Sequence, residues 1–199
     1  MNISEEFKYI LEELRKQLLD ADKYFDIFEQ IWPTPEAVDT INRYRGFFIP
    51  IRQALFDQFT IKICNVTSND RRLPGFYKIF KTLILESSLA PKIDVGSLRK
   101  RLKQHKLILD AINDYRNTKA AHWDIEMKGG NKPILYGQTR KMLEELENMF
   151  NEISSAVLKK TWSFKYVQHL DTTSLIRHLG ELRAVHKKQI DEFMTQTKS

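Results

Sequence analysis

The sequence predicts an all-α fold, an up-and-down bundle of five to six helices within a single domain over residues 1–199. Apolar side chains recur at steps of three and four along almost the whole chain, the signature of helices that each bury one face. No stretch reads well as a strand. The seven glycines and six prolines are too few for a fibrous or disordered chain. A chain of 199 residues can bury roughly 70% of its unfolded surface around one core.

The elements follow in order. Phe7, Leu11, Leu14, Leu18, Ala21, Phe25 and Phe28 make the stripe of a long first helix, with Ser4 placed to cap it and Glu5 and Glu6 in its first turn. "WPTPEAV" restarts the chain, with Thr34 as cap and Pro35 at the first helical position. That second helix runs through Phe48, Leu55, Phe59 and Ile63, with a kink expected near Pro50. "TSNDRRLPG" turns it into a shorter helix through Phe76, Ile79, Phe80 and Leu83, and "SSLAPKIDVGS" is a loop. Ser97 is expected to open the next helix. "KGGNKPILYG" is the strongest loop signal, and Met142, Leu146, Met149, Ile153 and Ala156 then repeat the four-three step. "DTTS" caps a last helix carrying Leu175, Leu179, Leu182, Ile190 and Phe193. There is no fixed-period repeat and no low-complexity tract.

Cys64 is the only cysteine, which excludes an intrachain disulfide and a zinc site built on thiolates and fits a reducing compartment. The acidic, amphipathic start "MNISEEFKYILEELRK" lacks the basic head and apolar run of a secretion signal, and no stretch approaches the ~20 apolar residues of a membrane span. The expectation is a soluble cytoplasmic protein. The net charge is +6, unevenly spread: residues 1–40 hold 4 basic and 10 acidic side chains, residues 41–110 hold 14 and 5. A basic middle attracts polyanions, nucleic acid above all, although an acidic helix packed beside a basic one gives the same count.

The chemistry concentrates in "DYRNTKAAHWD", residues 114–124. The apolar side runs Leu98, Leu102, His105, Leu109, Ile112, and the next step of four lands on Arg116. A buried unpaired charge costs several kcal/mol, so this arginine either pairs with an anion or faces a cleft or subunit interface. The plainer alternative is an arginine snorkelling at a frayed helix end, or pairing with Asp114 or Asp124. On a regular helix Arg116, Lys119 and His122 follow one ridge about 9 Å long. An imidazole that titrates near neutrality moves protons, and a guanidinium offers a planar fork of donors to phosphate oxygens. A satisfied structural histidine is the competing reading. Ala120 and Ala121 add little bulk, so another backbone can approach.

Arg116-Asn117-Thr118-Lys119-Ala120-Ala121-His122 resembles the Arg-x(4–6)-His motif of the HEPN superfamily, with a polar residue, Asn117, after the arginine. "INDYRNTKAAHWD", with the upstream "FFIPIRQALFDQF", looks most like the abortive-infection AbiU-type branch, a likeness covering about residues 45–165. The resemblance implies a helical bundle that dimerises and brings two motifs together as a metal-independent endoribonuclease, a toxin or antiviral effector with a possible antitoxin partner. Arg116 and His122 would be the catalytic pair and Asn117 a supporting residue. In one subset of that superfamily a tyrosine two places after the histidine is modified by a partner enzyme; Asp124 stands there in this chain, which puts such regulation in doubt.

The chemistry agrees with a dimer. Cleaving RNA without a metal needs a base for the 2′-hydroxyl and an acid for the leaving 5′-oxygen, on opposite sides of the phosphorus. One chain offers one well-placed histidine, and a two-fold axis supplies the second. In "RKRLKQHK", residues 99–106, Arg99, Lys103 and Lys106 share a face that would guide an incoming RNA, with Lys119 nearer the phosphate; a solvated outer face is the alternative. Tyr115 and Trp123 fit either base stacking or core packing. There is no Gly-rich phosphate loop, no HExxH and no nucleophile elbow, and His169, His178 and His186 have no carboxylates at ligand spacing, so no metal or cofactor is expected. The alternative from another class is a non-catalytic helical module that binds a nucleotide, RNA or a protein partner.

Overall fold

The computed structural model describes residues 4–31, 34–35, 37–70, 72–86, 93–120, 133–164 and 172–196. Among them are eight α-helices, one π-helical turn and no strand, so the fold is all-α. The helices are α1 (Glu5–Gln30), α2 (Val38–Arg43), α3 (Arg45–Thr67), α4 (Phe76–Leu85), α5 (Val95–Gln104), α6 (Lys106–Tyr115), α7 (Tyr136–Leu158) and α8 (Thr172–Gln196), with the π-turn at Arg116–Ala120. The number exceeds six because two expected helices are interrupted at single residues, Tyr44 between α2 and α3 and His105 between α5 and α6. No described helix is long and apolar enough to cross a membrane.

Capping explains most of the boundaries. Ser4 Oγ accepts the Phe7 amide at 3.2 Å, as the sequence predicts for α1. Thr34 Oγ1 accepts from the Ala37 amide at 3.3 Å, but this closes a turn, and α2 starts only at Val38. Asp94, not Ser97, caps α5: its Oδ1 accepts the Gly96 and Ser97 amides at 2.8 and 3.2 Å. Pro50 lies in the second turn of α3, which continues past it to Thr67.

Contacts divide the chain into two compact units, one made of Met1–Tyr24 and Asp57–Tyr166, the other of Phe25–Phe56 and Val167–Ser199. In the first, Phe7, Leu11, Leu14 and Leu18 of α1 are buried, as are Phe59 and Ile63 of α3, Phe76, Ile79 and Phe80 of α4, and Met142, Leu146, Met149 and Ile153 of α7. Truncating a fully buried Leu14 or Leu18 to alanine costs about 2–5 kcal/mol. Ion pairs tie α1 to its neighbours: Lys62 Nζ to Asp20 at 2.7 Å and Arg140 Nη1 to Asp22 at 2.8 Å. After α7, the chain is latched back by Asn151, whose amide accepts from Trp162 N at 2.8 Å and donates to Trp162 O at 2.9 Å. The Arg15 guanidinium lies over that indole, 4.5 Å from its centroid.

In the second unit Ile31, Ile41, Phe48 and Ile176 form a small buried cluster. Arg52 stacks over Phe28 at 4.6 Å, and Phe28 meets Phe56 at 4.9 Å. Gln30 Oε1 accepts the first amide of α8, Thr172 N, at 3.0 Å. The stripe expected to bury α8 does so only in part. Ile176 is buried and Leu179 packs on the cluster, whereas Leu175, Leu182, Ile190 and Phe193 are exposed.

Among the described carboxyls, that of Glu147 on α7 is strongly perturbed upwards. Its Oε1 is buried without a hydrogen-bond partner. Burial, and then the nearby Asp22, push its pKa up to about 8, against the opposing pull of Arg140. The unfolded chain releases this proton near the ordinary carboxylate pKa, while the folded chain keeps it until about 8. The native state therefore binds more protons across that window, and stability falls as pH rises through it. Replacement by the apolar Glu147→Met is expected to raise unfolding stability by about 1–3 kcal/mol at pH above 8. The gain should shrink towards pH 5, as read in denaturant titrations at both ends.

Candidate active site

The Arg116 region is built from a register change. His105 adopts φ −93° and ψ 10°, and its amide bonds back to Leu102 O rather than continuing the α-helical ladder alone. The buried side, Leu98 and Leu102 in α5, therefore resumes at Ile108, Ala111 and Ile112 in α6. Leu109, placed on the seam by an unbroken helix, instead borders a cleft. The residue that continues the apolar side beyond Ile112 is Tyr115, half-buried, whose hydroxyl donates to Asp57 Oδ1 on α3 at 2.8 Å. Arg116 is turned one residue further round, half-buried at the cleft wall, not in the packed core.

At Arg116 the hydrogen bonding changes to the i→i+5 pattern of a π-helix, a feature frequent at functional sites. Thr118 adds a side-chain bond here: its hydroxyl donates to Asp114 O at 2.8 Å. The single regular ridge expected through Arg116, Lys119 and His122 is therefore broken at its start. Lys119 belongs to the π-turn. Its side chain lies outside the described residues, as do residues 121–132, with His122, Trp123 and Asp124 among them.

Arg116 Nη1 donates to Asn117 Oδ1 at 3.0 Å, so the arginine and the polar residue after it form one exposed donor group. Among the described residues Arg116 makes no ion pair. Its guanidinium is close enough to Cys64 to draw that thiol's pKa down, but burial dominates and pushes it up to about 11. Cys64 therefore stays a protonated donor at neutral pH, and its Sγ lies 3.8 Å from Asn113 Oδ1.

The cleft has a volume of about 670 Å³. It is lined by Cys64, Asn65 and Thr67 at the end of α3, Ser68, Asn69 and Leu73 of the connection, Tyr77 of α4, Leu102 and Lys103 of α5, and Lys106, Leu109, Asp110, Asn113 and Arg116. A Cβ on Gly75 would meet Val66 O at 2.8 Å and Asn65 O at 2.9 Å, so only glycine lets α4 start against the last turn of α3.

Of the expected cationic guides, Lys103 and Lys106 line the cleft, and Lys106 pairs with Asp110 at 2.5 Å. Arg99 is exposed but lies outside the cleft lining. Arg101 from the same basic run is consumed by the fold, donating to Glu145 and Glu152 of α7. Asn65, Asn69, Tyr77, Asp110 and Asn113 are cleft residues that the sequence did not single out. One signal was present: Lys106, Asp110, Asn113 and Arg116 step by four, three and three along a polar face.

A family model described as AbiU2, of the HEPN group, matches residues 4–175, and the chain belongs to that family. No curated protein and no solved structure matches it.

Tyr115→Phe keeps the ring and removes the hydroxyl that ties α6 to α3. The expected loss of stability is about 1–2 kcal/mol, measured as a shift in denaturant midpoint with an unchanged slope.

Proposed function

We propose that the chain is a metal-independent endoribonuclease that acts as a homodimer, with Arg116 and His122 of each protomer contributed to one composite site. The observation that carries this reading is Arg116 itself. It stands half-buried, without a carboxylate partner among the described residues, on a cleft that also holds Lys103 and Lys106, six residues before a histidine in a HEPN-family chain. A guanidinium held this way, with Asn117 fixing one of its nitrogens, is free to grip a phosphate bidentately.

In the proposed reaction the imidazole of one His122 takes the proton of a ribose 2′-hydroxyl, whose oxygen attacks the adjacent phosphorus. The P–O5′ bond breaks, and the imidazolium of the second His122 gives its proton to the leaving 5′-oxygen. Both Arg116 side chains neutralise charge on the phosphorane. The products are a 2′,3′-cyclic phosphate and a 5′-hydroxyl. In this reading Lys103, Lys119 and Arg99 steer the RNA backbone, and the biological role is that of an abortive-infection toxin, held in check by a partner antitoxin in the cytoplasm.

The purified chain is expected to cut single-stranded RNA in EDTA. His122→Ala and Arg116→Ala should each lower the rate by about 100-fold or more while the protein still folds and dimerises. Equal cleavage by the parent and the His122→Ala protein would remove His122 from the mechanism. Salt-sensitive RNA binding with the RNA left intact would favour the non-catalytic binding module.

A further inference from the structure

The cleft beside Arg116 carries one carboxylate among its cations, Asp110, which has no place in a groove built only for a phosphate backbone. Lys106 engages one oxygen of that carboxylate, Oδ2. An ionised carboxylate has about four acceptor positions, so it can still accept from two adjacent N–H groups. The same lining holds the amides of Asn65 and Asn69 and the ring of Tyr77, which is 38% exposed and held edge-on by Phe80 at 6.2 Å. Asn113 is oriented by Cys64, whose protonated thiol points to its Oδ1 and so leaves the Nδ2 hydrogens to donate. The concavity thus combines an aromatic face, a carboxylate acceptor and an amide donor in about 670 Å³, within the range of small-ligand sites.

We propose that this cleft is a base subsite selective for guanine, taking the nucleotide of single-stranded RNA that adjoins the phosphate gripped by Arg116. Guanine alone among the RNA bases presents two neighbouring donors, N1–H and N2–H, beside an acceptor, O6. Asp110 accepts the two donors, Asn113 Nδ2 donates to O6, and Tyr77 stacks on the ring. Uracil and cytosine turn O2, and adenine turns N1, towards the carboxylate where guanine presents a donor, and that repulsion provides the discrimination. The consequence for cleavage rests on the ribonuclease reading; the binding of the base does not.

The test uses the full chain in EDTA. Binding of 5′-GMP, 5′-AMP, 5′-UMP and 5′-CMP is measured by calorimetry for the parent, Asp110→Asn and Tyr77→Leu, and cleavage ends are mapped on a random-sequence single-stranded RNA. GMP is expected to bind the parent at least about tenfold more tightly than the other three. Asp110→Asn should abolish that preference, Tyr77→Leu should weaken GMP binding, and the parent's cut sites should be enriched for guanine next to the broken bond. Four nucleotides binding the parent equally, or none binding, overturns the subsite whether or not the variants fold. So does a preference that survives Asp110→Asn. Selective GMP binding without RNA cleavage keeps the subsite and removes the ribonuclease reading; cleavage without base preference or GMP selectivity does the reverse. GMP selectivity with random cut sites overturns the RNA arm in favour of a free guanine nucleotide.

Discussion

The break at His105 is the constraint on which the arrangement around Arg116 depends. A continuous helix from Leu98 would carry Arg116 onto the same side as the buried leucines, where a charge is costly. The interrupted ladder at His105 turns α6, so that Ile108 and Ile112 take the core side and Tyr115 closes it with a bond to Asp57. Only then do Lys106, Asp110, Asn113 and Arg116 share the wall of a cleft. The π-turn begins at Arg116, the residue after this anchored tyrosine, and the Thr118 hydroxyl bonds to the carbonyl of Asp114.

The basic charge of the middle of the chain is divided between structure and cleft. Arg101 bridges α5 to two glutamates of α7, Lys62 holds Asp20, and Arg72 holds the Asp70 carboxyl well below its usual range, near 2. Lys103 and Arg116 are left to the cleft, and Lys106 is shared between the cleft and Asp110. A count of charges along the sequence could not make this division, because it depends on which acidic side chains the helices bring within reach.

The all-α class and the stripes of α1, α4 and α7 were legible, because each is long or strongly periodic and its buried residues are those the step of three and four selects: Phe7 to Phe28, Phe76 to Leu83, Met142 to Ile153. The interruptions at Tyr44 and His105 were not, since both residues are acceptable within a helix and a break of one residue leaves the apolar spacing superficially intact. Asp94 displaced Ser97 as cap because either side chain can accept an amide, and the choice falls to whichever lets Val95 and Gly96 join the helix. Arg116 and Lys103, picked out by the motif and the basic run, do line the cleft. Asn65, Asn69 and Tyr77 were not picked out, because they are far from the motif in sequence and only the fold brings them to the same cleft. His122 lies outside the described residues.

The far half of α8 has a different physical character from the rest of the chain. From Ala184 to Gln196 every residue is exposed, with Val185, Ile190, Phe193 and Met194 among them. A helical segment of this length without a buried face is marginal in water. Its backbone amides will trade hydrogen for deuterium far sooner than those of α7, and a protease will cut within it long before it reaches the core.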